Sequence, residues 1–502
     1  MGAALAGSWV FGKENTIPAG AAMNIQARDE GRGEALGRLS TFRKSFYDCL
    51  SARADELFEL TDAVLCAGGP VTSLPELSLE VVHRRGHGAM YDALACGRIE
   101  FARLRMSLAR LDLPRDASGR LRFAVDVTAW PRPDAECSAG RTHCHRYCRC
   151  NGTRQTIPGW PYSMIAALAT GRTSWTHLLD AVRLDPDEDV TNITAAQIRE
   201  VMTRLIHTGA WHPGDPLVLF AMDAGYDVIR LSYLLGDLPV ILVARIRSDR
   251  VMRHRPPAVR ADGRPGRRPR HGARFELQTP TTWAAPDTEH HAIHSRYGQI
   301  QVRAWRRLHP ELERRTAWTD HPGPLPIIEG TLINITVDHL PGDRSPKPMW
   351  LWCNDSQITD TDLDWWWHSY LRRFDIEHTF RFLKQTLGLT RPRLRTPEQA
   401  DRWVWLLISA HTQLQLTREL AEDLRHPWEQ PLPADRLTPA RVRRGFPRIR
   451  RIAGVPANPP KPSGPSPGRP RGSTSIPAPR HPVGKNNPKP DRHRRDSKQP
   501  TG

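Results

Sequence analysis

Between residues 34 and 66 apolar side chains recur every three or four positions, with Leu36, Leu39, Phe42, Phe46 and Leu50 on one face. That is the spacing of one or two amphipathic helices. Gly68-Gly69-Pro70 ends the run, since neither residue type sustains a helix interior. Residues 78–111 predict a helix, a glycine turn at Gly86 and Gly88, and two further helical segments bearing Arg84, Arg85, Arg98, Arg103 and Arg105. Residues 23–115 thus form a helical domain, and two descriptions of it are open, a helix-turn-helix DNA reader and a plain bundle. At Leu121 the period changes to two. Leu121, Phe123, Val125 and Val127 predict one face of a strand, with Asp126 on the other. A Cys-, His- and Pro-rich loop follows, then a strand from Ile157 into Ala169, and a helix over 194–209 with Thr194 as its N-cap.

Residues 217–222 are wholly apolar and lead into Asp223. This predicts a strand buried on both faces that delivers a carboxylate at its tip. Residues 228–235 predict a helix stopped by Gly236 and Pro239, and residues 240–245 a second buried strand, with Arg245 and Arg247 at its end. From 251 to 349 helical periodicity disappears. Pro, Gly and Arg crowd 255–272, and short alternating runs at 300–305 and 331–337 predict a β-rich insertion. Residues 349–352 return to strand, and 370–384 and 400–424 are expected to be helical. From 426 to 502 the pattern predicts a Pro/Arg-rich basic tail without a core. Its last part, 455–502, is expected to be disordered, because so few apolar side chains cannot offset the entropy of ordering. Within it, Pro467-Gly-Arg-Pro-Arg-Gly472 is similar to the AT-hook that lays Arg-Pro into narrow minor grooves, a solvating basic tail being the alternative. Mixed helical and strand periods over 116–250 and 350–425 make the fold class α/β.

Composition adds a partner. The 502 residues carry a formal net charge of +18, which points to a polyanion, most simply nucleic acid. No apolar run reaches the ~18 residues of a membrane span, and the first dozen residues lack the basic start and cleavage signal of a secretory peptide. Gly2 is not followed by Ser or Thr at position 6, so no myristoylation is expected. Residues 1–22, upstream of Met23, are expected to be a disordered extension. Eight Cys in so long a chain do not form a disulfide scaffold, and the cytoplasm is the default compartment. Cys137, Cys144, Cys148 and Cys150, with His143 and His145, could supply four zinc ligands, but their spacing is irregular. A reduced cysteine-bearing loop and a zinc site both stand open.

The densest chemistry lies in residues 370–384. At about 100° per residue, Tyr370, Arg373, Glu377, Arg381 and Lys384 share a helical stripe about 80° wide. Phe380 and Leu387 flank it on one side, Phe374 and Leu371 on the other. An exposed helix with i,i+4 ion pairs is the simpler explanation. A carboxylate held in a basic cleft beside a polyanion is the other, favoured because a solvated charged face is bordered by more charge. The chain has 72 basic residues, of which 8 are Lys and 64 Arg. Lys384 is therefore an unusual choice, suited to a compact point charge.

Three carboxylates now stand on suitable elements: Asp126 on a strand, Asp223 at a strand tip, Glu377 on the basic helix. Phosphodiester chemistry uses such a set to hold two Mg²⁺ ions, with carboxylate oxygens as ligands; Mn²⁺ can substitute. Tyr370, Arg373, Glu377 and Lys384 fill a Y-x2-R-x3-E-x6-K signature at the right spacing. Asp126 and Asp223 lie 97 residues apart and Asp223 and Glu377 lie 154 apart, the longer gap holding the β-rich stretch. In these features the chain resembles the DDE transposases of bacterial insertion sequences over roughly 120–425. Asp223-Ala-Gly-Tyr-Asp227 resembles that family's second motif.

The resemblance implies an RNase H-like core, a mixed five-stranded sheet flanked by helices. It implies that Asp126, Asp223 and Glu377 bind two divalent metals while water, then the freed 3′-hydroxyl, attacks phosphorus in line. Tyr370, Arg373 and Lys384 would contact phosphates near the transposon end, with Arg245 and Arg247 as further candidates. Trp350 matches a tryptophan that stacks on a flipped base in similar enzymes, core packing being its other explanation. The expected protein is a Mg²⁺-dependent, cut-and-paste transposase of double-stranded DNA, dimeric when two ends are paired, bacterial and nucleoid-associated. The N-terminal helices and basic tail would bind the inverted repeats. Two alternatives stay open: a structure-selective nuclease that cuts without joining, and a non-catalytic basic DNA-binding protein.

Overall fold

The computed structural model describes residues 19–148, 153–171, 173–256, 269–295, 297–340, 345–461 and 477–484, with isolated positions between 468 and 474. The extreme termini and half of the AT-hook-like stretch lie outside these, as do residues 257–268 of the Pro/Gly/Arg-rich segment.

The N-terminal region contains helices α1 (Ala19–Tyr47), α2 (Ala54–Cys66), α3 (Leu74–Leu77), α4 (Gly88–Cys96) and α5 (Phe101–Ala109), with short strands β1 (Leu50–Ala52) and β2 (Arg98–Ile99) pairing between them. The helix expected from residue 78 is absent. Leu79 and Val81 are exposed, and only the four-residue α3, capped by Ser73, precedes this loop. Helix α2 is buried on all sides and carries two acids inside, Glu59 and Asp62. Each has arginine partners. Asp62 takes Arg43 at 2.8 Å and Arg450 at 2.6 Å, and Glu59 takes Arg84 at 2.6 Å.

The sheet begins with β3 (Arg122–Pro131), β4 (Thr142–Cys148), β5 (Thr153–Leu168) and β6 (Thr176–Arg183). Helix α6 (Val190–His207), strand β7 (Val218–Met222), helix α7 (Val228–Leu234) and strand β8 (Val240–Ile246) complete its first half. The spatial order is β6-β5-β3-β7-β8. Strands β3, β7 and β8 are mutually parallel, and β5 runs antiparallel to β3 and to β6. That is the five-stranded mixed sheet of an RNase H-like fold. Two local expectations are corrected. Helix α6 starts four residues before Thr194, with Asp189 capping it through the Asn192 amide. Val127 reaches the surface while Phe123 and Val125 stay buried, because the strand outruns its neighbour β7 after Val125.

Strands β9 (Val251–Arg253), β10 (Arg274–Glu276), β11 (Thr288–His294), β12 (Gly298–Pro310) and β13 (Gly330–Val337) come next, then β14 (Met349–Cys353). The β-rich stretch does not form a sheet of its own. Strand β14 pairs with β8 on one side and with β13 on the other, so β13 and β12 continue the five-stranded sheet. Alternation along β14 divides the core in two. Trp350 and Trp352 belong to one face, and Leu351 and Cys353 to the other.

Helix α8 (Asp360–Arg372) covers the second face with Leu363, Trp366, Trp367 and Tyr370. Helix α9 (Phe374–Gln385) follows almost without a gap and buries Ile376, Phe380 and Leu383 in the first cluster. The stretch read as one helix is therefore two. At the junction Arg373 donates its amide to Tyr370 and accepts from Ile376, i→i+3 bonds that tighten the turn. The long helix α10 (Pro397–Leu416), opened by a Thr396/Gln399 capping box, backs the first face.

Helix α11 (Pro439–Ala453) lies in the region read as a coreless tail. It buries Val442, Phe446 and Ile449, and Arg443 donates to the Val64 and Gly69 carbonyls near the end of α2. Further on, His481 and Gly484 donate their amides to Glu136 and Arg141 of the β3–β4 connection, at 2.8 and 2.9 Å. No described helix is long and apolar enough to cross a membrane.

Candidate active site

Strands β3 and β7 are hydrogen-bonded neighbours whose parallel register ends at Val125 opposite Met222. The next residue on each is acidic. Asp126 and Asp223 are thus presented side by side by strands about 4.8 Å apart. Burial on both faces forces this arrangement, since every residue of β7 is solvent-inaccessible and the chain turns only at Asp223. Glu377 arrives from the opposite direction in the first turn of α9. That helix is fixed by its buried apolar side and by a 2.7 Å hydroxyl contact between Thr379 and Thr176 of β6.

The three acids meet around Arg373. Its Nη1 donates to Asp126 Oδ2 at 2.8 Å, and its Nη2 lies 3.9 Å from Asp223 Oδ1 and 3.5 Å from Glu377 Oε1. The Arg373 side chain is 3% exposed, against 18% for Asp126, 47% for Asp223 and 50% for Glu377. The arginine is the floor of the site and two of the carboxylates are its mouth.

Burial pushes the Asp126 carboxyl up to about 6, although Arg373 opposes the rise; Asp223 and Glu377 add to it. Burial would lower the Arg373 pKa, but Asp126, Tyr370, Asp223 and Glu377 together raise it. The cluster holds three carboxylates and one guanidinium, and it is short of positive charge.

Tyr370 is buried, with the Arg373 guanidinium carbon 5.8 Å from its ring centroid, and burial pushes its phenol up to about 12. Arg245, at the end of β8, lies close enough for its charge to act on that phenol. Arg247 is paired with Asp249. Lys384 lies seven residues beyond Glu377, about 10 Å along the helix. Its charge acts on Cys144, whose thiol burial nonetheless pushes up to about 11. Trp350 lies on the other face of the sheet from α8, buried in an aromatic cluster with Phe275, Trp283 and Trp305 at centroid distances of 6.2, 5.1 and 5.8 Å.

Sequence reasoning did not single out Tyr226. It follows Asp223 in the same turn, its hydroxyl is shut off from solvent beside Ser163, and burial, then Asp126, hold it well above the usual phenol range. Its position in the Asp223–Asp227 turn was the only available signal. The Cys/His stretch expected as a loop is in part strand β4, paired along β5; Cys144 on it is buried, Cys137 before it is exposed, and Cys150 and the Cys148 side chain lie outside the described residues.

Among the described residues no three His, Cys, Asp or Glu are gathered tightly enough to hold a metal ion directly, and Arg373 lies between the three acids. The donor set nonetheless fits a hard divalent cation. It is all carboxylate oxygen, and it carries more negative charge than the guanidinium balances.

Residues 45–311, just over half of the chain, match the model of a family described as DDE superfamily endonuclease. The match includes Asp126 and Asp223 and stops short of Glu377. No curated protein matches the chain.

Proposed function

The chain belongs to the DDE superfamily endonucleases, and from that premise we propose that it is a DNA transposase, cleaving and joining DNA at the inverted repeats of an insertion sequence. The observation that carries this reading is the approach of Asp126, Asp223 and Glu377, distant in sequence, to within 4 Å of one guanidinium.

In this mechanism Asp126, Asp223 and Glu377 hold divalent cations, Mg²⁺ or Mn²⁺. When bound, these supply Lewis-acid stabilisation of the attacking and leaving oxygens. The chain's own residues do the rest. Strands β3 and β7 fix two carboxylates against a rigid sheet, and α9 brings the third from outside. The reaction has two stages. Water attacks phosphorus in line, forming one P–O bond as the P–O bond to the 3′-oxygen breaks; the water gives up a proton, and the departing 3′-oxygen takes one up to become a hydroxyl. That hydroxyl then attacks a target phosphodiester, again exchanging one P–O bond for another. Arg373, Lys384 and Arg245 contact phosphates as cations, and Tyr370 braces Arg373. Arg247 is a weaker contact because Asp249 already holds it. Trp350 we assign to packing, since its ring is enclosed by aromatic neighbours.

A duplex with a pre-cleaved transposon end, incubated with target plasmid and Mg²⁺, tests the reading. Joined products are expected from the wild type. Asp126→Asn and Glu377→Gln should lose about 10³-fold or more, several kcal/mol of barrier. Cut but never joined DNA would favour a structure-selective nuclease, and intact DNA a non-catalytic binder. Assembly of two protomers on paired ends belongs to the same proposal.

A further inference from the structure

Arg373 holds an unusual position for a phosphate contact. Its side chain is 3% exposed, so in this state it faces inward, towards acids of its own chain. Its contacts are also graded. Asp126 is hydrogen-bonded at 2.8 Å, whereas Asp223 and Glu377 lean towards Nη2 at 3.9 and 3.5 Å without closing a bond. Nε has no partner. The residue sits at the joint between α8 and α9, where a small backbone rotation moves a long side chain far. The Phe374 ring, 4.8 Å from the guanidinium carbon and itself half exposed, offers a cation a resting place on the way out.

We propose that Arg373 is a built-in counter-ion that holds the three carboxylates together before metal arrives, and that metal binding is an exchange which releases the guanidinium towards a substrate phosphate. This rests on the assignment of Asp126, Asp223 and Glu377 as divalent-cation ligands. Three carboxylates this close repel one another and would spread apart unpaired. A guanidinium and a divalent cation cannot share the space between them, because their repulsion at a few ångströms is twice that of two unit charges. Arg373 is therefore a positioning residue in the metal-free protein and a competitor when metal binds.

The test is Mn²⁺ binding to the full-length, DNA-free protein by calorimetry, with melting curves in EDTA. Arg373→Gln should bind Mn²⁺ at least tenfold more tightly than the wild type and melt lower in EDTA, with a larger Mn²⁺-induced rise in melting temperature. Arg373→Lys keeps the charge but loses the planar fork. It should fall between the two, and it decides the question if Arg373→Gln cannot be isolated. Mn²⁺ affinity in Arg373→Gln, or in Arg373→Lys standing alone, that equals or falls below the wild type's would overturn the exchange. Glu377→Gln separates the two levels of the argument. If it abolishes Mn²⁺ binding while the Arg373 variants bind like the wild type, the exchange fails and the metal site stands. If neither the wild type nor any Arg373 variant binds Mn²⁺, the assignment of the acids fails, and the exchange with it.

Discussion

Buried titratable side chains in this protein are of two kinds, those with a charged partner and those without. Asp62 and Glu59 lie fully inside the N-terminal helices and are matched by arginines. Among the described residues His177 of β6 and His411 of α10 form no ion pair, although the Asp112 charge acts on His177 and opposes the effect of burial. Burial holds His177 down to about 4, and holds His411 down to about 3 with His177 adding to the effect. Both rings stay neutral in the folded chain, while the unfolded chain takes up protons at about 6.5. From that pH down to about 4 the unfolded state binds more protons than the folded one, so stability falls as pH falls. By pH 5 the loss is roughly 2 kcal/mol per histidine. Urea unfolding at about pH 7 and pH 5 should show it, and His411→Leu should remove about half. A difference unchanged by that substitution would count against this origin. At this scale the sequence was informative about which acids converge and silent about what supports them. Asp223 and Glu377 were legible because their neighbours are so regular. Tyr226 and the histidine pair were not, because burial of a polar side chain is set by elements far away in the chain.

Among the elements, α11 is the one whose role its composition hides. Six arginines in fifteen residues resemble a solvated tail, yet Val442, Phe446 and Ile449 form a narrow apolar stripe. Several of those arginines are inside because α2 supplies buried acceptors, Asp62 for Arg450 and the Val64 carbonyl for Arg443. That complementarity spans hundreds of residues and leaves no local trace. Phe446→Ala should therefore destabilise the protein by about 3–5 kcal/mol, measured by denaturant unfolding, where a true tail residue would change little. The strands β3, β7 and β8 were readable because buried runs and strict alternation are strong signals. The joint at Arg373 was not, since a periodicity count assumes a straight helix and the break serves contacts made elsewhere. Gly388 ties the two regions together. It has φ +76°, and a Cβ there would come within 2.8 Å of Val71, so only glycine lets the end of α9 dock on the N-terminal helices.

For the molecule as a whole, the net charge of +18 sets how it meets DNA. If it neutralises 6–10 phosphates, affinity should fall by about 10³-fold or more between about 50 and 200 mM salt. Lys384→Ala should reduce the slope of log affinity against log salt by about one; an unchanged slope would remove Lys384 from the contact surface. The class of the fold was legible from mixed periods, but the place of residues 251–349 was not. They read as an excursion because pairing partners carry no signature in one sequence, and only the folded chain shows them laid against β14. That placement determines which parts of the excursion can vary. Strand β14 hangs between β8 and β13, with Cys353 opposite Val243 and Thr331, and the chain runs from it straight into α8 and α9. A slip of one residue at that seam would turn every side chain of β14 over and carry Glu377 out of reach of its partners. The hairpin tip at Gly298, by contrast, is far along the chain from this seam, beside an Ile293 that faces open water. Lineages of this protein should therefore differ freely in the length and lettering of such tips while the strands beside β14 stay the same length, a ragged fringe sewn to a fixed hem.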